Sequence, residues 1–332
     1  MGSPESFNKV FIEKYQKDKY RDLFLQFLMT RREENTRIAY YSDLKKYANF
    51  LLEKGVKLPF SEQTPLLISE YKEYLIKYLN QSDKTVKRAL SSLKKFFDFL
   101  IEQGVGVNKN PVASVEKPIV QLSVKTPGLT NEELSTFIRS IRLFYSDKSI
   151  IPSGFLYRAI STLMFNTGLR TSEALSLTVD SIKSSRGDCY VNVKVKSGGV
   201  VDVPLNAVSK KAIDDYLNAY KQSFDTKFYN ECFLFIPSKD IDGFYPRDNR
   251  YALSPQMLRK FFKKHSIKIF GEEGAITPHS CRATLAGILY EKGIALEDQA
   301  DFLRHRDPRM TMEYNKRREG AKRKISDSLS LS

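Results

Sequence analysis

The chain has 332 residues, 41% of them hydrophobic, which is enough apolar material for two ordinary domains and excludes a generally disordered protein. Its 54 lysines and arginines against 39 aspartates and glutamates leave a formal charge of +15, which points to a polyanionic partner, nucleic acid being the simplest. Three scattered cysteines, Cys189, Cys232 and Cys281, form no CxxC pair or Cys/His cluster, which argues against a zinc site and fits a reducing cytoplasm; no signal-like apolar region opens the chain and no run of about 20 apolar residues could span a bilayer.

The first third reads as helical. Tyr40, Leu44, Tyr47, Ala48 and Leu51 recur at spacings of three and four, one apolar stripe that stops at Gly55. A second helix is predicted to start at Ser82-Asp83, with Leu90, Leu93, Phe97 and Leu100 as its buried stripe and Gly104 at its end. Its remaining surface carries Lys84, Lys87, Arg88, Lys94 and Lys95, several on one face with Ser91. Such a face is either simply solvated or a set of phosphate contacts. Asn110-Pro111 and Lys117-Pro118 break the helical pattern, and residues 116–127 read as an extended linker.

Thr130 with Glu133 three residues on predicts a capped helix start. The rest is mostly helical with one β signal. The alternating segments Tyr190 to Val195 and Val200 to Leu205, joined through Lys196-Ser197-Gly198-Gly199, predict a hairpin with a glycine turn. Later helices are predicted to end near Gly293 and resume near Glu297.

Four segments then stand together in order. They are Thr167-Gly168-Leu169-Arg170-Thr171-Ser172-Glu173; the hairpin with Lys196; Thr277-Pro278-His279-Ser280-Cys281-Arg282; and Leu303-Arg304-His305, with Tyr314 nine residues after the histidine. This set resembles the catalytic domain of the tyrosine recombinase family. Arg170 and Glu173 match its first arginine motif, His279 and Arg282 its His-x-x-Arg box, His305 and Tyr314 its Leu-Gly-His segment and distal tyrosine. Lys196 sits eight residues before Pro204, as the family's hairpin lysine does. Upstream, Thr36 to Gly55 and Thr85 to Pro111 resemble the family's core-binding helices, so the likeness runs from about residue 20 to Tyr314. Two departures exist. Arg304 stands where the family usually has glycine, and Ala283 follows Arg282 where many members carry another histidine.

The resemblance implies a mainly α fold: a helical core-binding domain over 20–115 after an extension at 1–19, a linker at 116–127, a mixed α+β catalytic domain with a small antiparallel sheet over 128–314, and a basic tail at 315–332 exchanged between protomers. It implies site-specific DNA recombination through a 3′-phosphotyrosine and a Holliday junction, by a homotetramer on two double-stranded sites and a monomer without DNA. A mobile element, a plasmid or chromosome-dimer resolution would be served, with an accessory DNA-bending protein as a further partner, no membrane, and a cytoplasmic, nucleoid-associated place.

The residue types suit that reaction. Two guanidiniums, Arg170 and Arg282, bind phosphoryl oxygens in a fixed fork and keep their charge. The resemblance gives Tyr314 the nucleophile's role, His279 base-like help, His305 a hydrogen bond to the phosphate, Lys196 the proton for the leaving 5′-hydroxyl, and Glu173 the orientation of Arg170 or its helix. It requires no metal, ATP or other cofactor. His265 has no motif around it and is expected to be structural, and Cys281 lacks the surroundings of a cysteine nucleophile. Two other readings remain at this point. A type IB topoisomerase would share much of the site, but the helical first third speaks against it. A non-catalytic DNA-binding accessory protein would not need the intact set.

Overall fold

The computed structural model describes residues 19–56, 60–119, 128–146, 149–195, 198–224, 232–237, 251–305 and 307–315. Lys196, most of the predicted linker and the basic residues after Asn315 lie outside them, as does the side chain of Tyr314. The chain divides into two compact units, Met1–Ser123 and Val124–Ser332.

The first unit is all helical: α1 (Lys19–Met29), α2 (Glu34–Glu53), α3 (Pro65–Lys77) and α4 (Asp83–Glu102). Thr64 caps α3 by accepting the Leu67 N–H at 3.3 Å, with Pro65 in the first turn where a missing N–H costs nothing. In α4 the predicted stripe is buried: Leu90, Leu93, Phe97 and Leu100 are each at most 1% exposed. Ser82 takes the N-cap position, but its hydroxyl meets Thr85 Oγ1 at 3.1 Å instead of a backbone N–H. Asn110 closes the unit's chain path: its amide donates to Lys94 O at 2.8 Å and Asp98 Oδ1 at 2.6 Å, and its Oδ1 accepts the Val112 N–H at 2.9 Å.

The second unit begins with α5 (Asn131–Ser140), whose predicted capping box forms: Thr130 Oγ1 accepts the Glu133 N–H at 3.2 Å and Glu133 Oε2 accepts the Thr130 N–H at 2.8 Å. A short hairpin follows, β1 (Phe144–Ser146) with β2 (Ser149–Ile151). Then come α6 (Pro152–Thr167) and α7 (Thr171–Leu175). Helix α6 is the spine of the unit, with Ala159, Ile160, Leu163 and Met164 fully buried. It packs against α8 (Ala207–Phe224) and α10 (Pro278–Glu291). The sheet has antiparallel order β3 (Ile182–Ser185), β4 (Asp188–Lys194), β5 (Val200–Pro204). Val191 and Val193 of β4 and Val203 of β5 face the core, the period of two placing them on one side. The predicted hairpin is β4–β5, with Gly198 at φ +95 in its turn; β3 and the β1–β2 hairpin add to what the sequence pattern predicts. Helices α9 (Pro255–Phe270), α11 (Leu296–Phe302) and α12 (Arg309–Asn315) complete the unit. No helix among the described residues is long and apolar enough to cross a membrane.

Candidate active site

The site is built at the ends of α6, α10 and α11. Where α6 stops, Gly168 turns the chain at φ +60. The left-handed backbone favours glycine here, and a Cβ would come within 2.7 Å of Leu303 Cδ2 and 3.1 Å of Leu285 Cδ2, so that those side-chain ends would have to shift. The turn delivers Arg170 as N-cap of α7. Glu173, 4% exposed, reaches back: Oε2 accepts the Arg170 N–H at 2.8 Å and Oε1 accepts from Arg170 Nη1 at 2.6 Å. Burial raises the Glu173 pKa, but the Arg170 N–H and guanidinium and the Arg304 charge outweigh it, and the carboxylate is held below its ordinary range.

Pro278 starts α10 behind Thr277, whose N–H donates to Ser280 Oγ at 3.2 Å. His279 on this first turn is exposed, while Cys281 and Arg282 are buried. Burial holds the Cys281 thiol well above its ordinary pKa, which keeps it protonated and unfit as a nucleophile. Arg282 is 1% exposed. Its Nη1 donates to Gly168 O at 2.6 Å, its Nη2 to Leu303 O, and its Nε to His305 Nε2 at 2.9 Å.

The third part is the end of α11. Arg304 N–H donates to Asp301 O at 2.8 Å and His305 N–H to Ala300 O at 2.9 Å, the two bonds of a Schellman motif. The residue between them must be left-handed, the usual place of glycine, and Arg304 sits there at φ +54, at a cost of about 1–2 kcal/mol. The turn therefore keeps the glycine-type geometry despite the substitution. Arg304 Nη1 donates to Phe302 O at 2.8 Å and Nη2 to Thr167 O at 3.2 Å, while Arg170 Nη2 donates to Arg304 O at 3.2 Å. His305 is 9% exposed; its Nδ1 bonds Thr311 Oγ1 at 2.7 Å. Burial, then the charges of Arg282, Arg170, His279 and Arg304, lower its pKa to about 3, so the ring is neutral. Tyr314 stands one turn beyond Thr311 in α12.

The structure thus brings Arg170, Glu173, Arg282 and His305 into one hydrogen-bonded cluster, with His279 among the charges that act on His305. The expected phosphate clamp is uneven: the Arg170 side chain is 37% exposed, whereas Arg282 is enclosed and spends its donors on two carbonyls and a histidine. Likewise His305 Nε2 here accepts from Arg282. Thr311, which lies in no motif, and the carbonyls of Gly168 and Leu303 and the Arg304 side chain, to which the motifs gave no role, are further members of the cluster. His265, half-buried on α9, is stacked on Phe261 and bonded to Ser140 Oγ at 3.0 Å, and is not among these hydrogen-bonded groups. On α4, Arg88 pairs with the buried Asp43 at 2.8 Å, Lys94 with Asp98 at 3.0 Å, and Lys95 Nζ donates to Tyr40 O–H at 2.9 Å, so these three cations already have partners; Lys84 and Lys87 are exposed.

Comparison with known proteins identifies the family. The family model described as Phage integrase family matches residues 129–320, and that described as Phage integrase, N-terminal SAM-like domain, matches residues 22–104. Tyrosine recombinase XerD of Neisseria meningitidis serogroup B is 24% identical over 288 residues, covering 87% of this chain and 89% of its own. Tyrosine recombinase XerD of Staphylococcus aureus is 26% identical over 295 residues, covering 88% and 91%. Among solved structures, the fold is similar to XerH site-specific recombinase in a post-cleavage complex with palindromic difH substrate, with TM-score 0.67, 18% identity, and 88% of this chain and 79% of that one covered. It is also similar to a lambda integrase dimer on a COC′ core site, with TM-score 0.65, 19% identity, and coverage of 90% and 95%. The chain belongs to the phage integrase family: it is a tyrosine recombinase, an enzyme of site-specific DNA recombination.

Proposed function

We propose that the chain cleaves and rejoins double-stranded DNA through Tyr314. The phenol oxygen attacks phosphorus, the P–O5′ bond breaks, and a 3′-phosphotyrosine conserves the bond for religation to another 5′-hydroxyl. His279 assists removal of the phenol proton, and Lys196 protonates the departing O5′. Arg170, oriented by Glu173, meets the non-bridging oxygens. Arg282 first serves as the strut between the Gly168 and Leu303 turns and contributes its charge to the phosphate from there. When DNA is seated, His305 releases Arg282 and takes the other neutral tautomer, with Nδ1 accepting from the Thr311 hydroxyl, so that its Nε2–H donates to a phosphoryl oxygen. No metal or other cofactor takes part.

One observation carries this reading: Arg170 is bonded to the Arg304 carbonyl 134 positions away and Arg282 to the Gly168 carbonyl 114 positions away, Arg282 also bonds His305, and His305 is tied to the helix that bears Tyr314. The helical first unit, with exposed Lys84 and Lys87, adds phosphate contacts of its own to the duplex, and Arg88, Lys94 and Lys95 add to the positive field there. A homotetramer on two sites, with a Holliday junction between the two strand exchanges, is the proposed assembly; lambda integrase has been solved as a tetramer bound to a Holliday junction. The tail at 315–332 is proposed to be exchanged between protomers, an accessory DNA-bending protein to assist, and the enzyme to act at the nucleoid on a mobile element, plasmid or chromosome dimer.

The test is a two-site strand-exchange assay run beside supercoil relaxation, on DNA footprinted by the protein from its own genetic neighbourhood. Exchange that requires two sites supports the reading. Relaxation of any supercoiled plasmid without exchange overturns it in favour of a topoisomerase, and binding without cleavage in favour of an accessory protein.

A further inference from the structure

Arg304 carries two costs at once. Its backbone is left-handed at φ +54, a region side chains other than glycine's disfavour, and its Nε is buried without a hydrogen-bond partner. Outliers of this kind persist where the surroundings make use of them. The use here is specific. The guanidinium, 9% exposed, places Nη2 at 3.6 Å from Glu173 Oε2, the oxygen that also accepts the Arg170 N–H. The same nitrogen donates to Thr167 O, at the root of the arginine turn. In return Arg170 Nη2 donates to the Arg304 carbonyl. Each arginine therefore reaches the other's segment, with the Glu173 carboxylate between them.

We propose that Arg304 is a positioning residue for strand cleavage, which acts through Glu173 to fix the direction of the Arg170 guanidinium and to lock the His305 turn to the arginine turn. The inference rests on the reading of the site given above. Without the second guanidinium, Glu173 keeps one cation and regains rotational freedom, and Arg170 spreads over more rotamers. Duplex binding draws on many phosphate contacts and changes little, whereas cleavage depends on one guanidinium in one direction.

The test is single-turnover formation of the covalent adduct by the full chain on a nicked suicide duplex carrying the footprinted sequence. Arg304→Gly and Arg304→Lys are compared in the wild-type and Glu173→Gln backgrounds, with unfolding midpoint and duplex affinity measured alongside. Glycine relieves the backbone strain, so slowing by Arg304→Gly cannot come from φ. It should slow adduct formation about 10- to 100-fold with affinity within about twofold, and Arg304→Lys should restore part of the rate. In the Glu173→Gln background the same change should cost less than about threefold, as expected of residues acting as a unit. Cleavage at the wild-type rate by Arg304→Gly, or an equal loss in both backgrounds, overturns the inference. Should Arg304→Gly lose its cooperative unfolding transition, Arg304→Lys is judged by the same two-background comparison. A wild-type chain that forms no adduct overturns the reading of the site itself, an outcome distinct from an unaffected Arg304→Gly.

Discussion

Arg282 donates from Nε to Nε2 of His305 at 2.9 Å, and this contact sets the histidine's tautomer. A guanidinium can only donate, so Nε2 is the acceptor and the proton sits on Nδ1, which then donates to Thr311 Oγ1. The arginine, on α10, thus binds the Gly168 turn and the Leu303–His305 turn together while keeping a charge beside the position expected of the phosphate.

Arg282→Lys should therefore cost stability as well as activity. An ammonium cannot span Gly168 O, Leu303 O and His305 Nε2 from one position, and the buried acceptors it abandons remain unpaired. Chemical denaturation should show a loss of about 2–4 kcal/mol. A variant as stable as wild type would mean that the buried network contributes little.

His305 makes the fold pH-sensitive in a defined window. Its pKa of about 3 in the fold lies below the ordinary value near 6.5 of the unfolded chain, because burial and neighbouring cations oppose the imidazolium. Between those values the unfolded state binds more protons, so this contribution is complete above about pH 6.5 and is lost as pH falls towards about 3. His305→Gln should remove it. The stability difference between wild type and His305→Gln, measured by urea unfolding, should shrink from about pH 7 to about pH 4.5; a difference independent of pH would contradict the prediction.

Gly168→Ala should be destabilising by at least about 2 kcal/mol, from left-handed strain and from a Cβ crowding Leu303 and Leu285. Thermal unfolding measures it, and an unchanged midpoint would show that the turn can relax.

In the first unit, Asp43 accepts from Arg88 Nη2 at 2.8 Å and Ser92 Oγ at 2.9 Å with its side chain fully enclosed. Asp43→Ala and Arg88→Ala should each cost about 2 kcal/mol, and the double variant less than the sum. Lys87→Ala should instead leave stability within about 0.5 kcal/mol and weaken duplex binding with a shallower salt dependence. Equal stability losses in all three would remove the distinction between strut and contact.

Much of this was legible from residue patterns. The stripe of α4, the Thr130–Glu133 capping box and the β4–β5 hairpin follow from periodicity and turn chemistry that local sequence carries in full. Strand β3, Ile182-Lys183-Ser184-Ser185, has no apolar alternation and exists because β4 offers it a partner. Asp43 sits within an apolar stripe as the one polar residue, and only the approach of α4 explains it. Arg282, expected to meet phosphate, is instead enclosed once α6 and α11 close over it, and no periodicity reports that Arg304 fills a left-handed cap. The resemblance named the chemical groups; which of them are enclosed, and what holds them, depends on contacts between separate helices and turns, some more than a hundred residues apart.

The central claim is that Tyr314 is the residue joined to DNA. The most direct measurement is covalent trapping on a nicked suicide duplex, followed by denaturing electrophoresis, for wild type and Tyr314→Phe. The wild type should form a denaturant-resistant protein–DNA adduct, and Tyr314→Phe should form none while binding the same duplex. An adduct formed by Tyr314→Phe would contradict the assignment of the nucleophile.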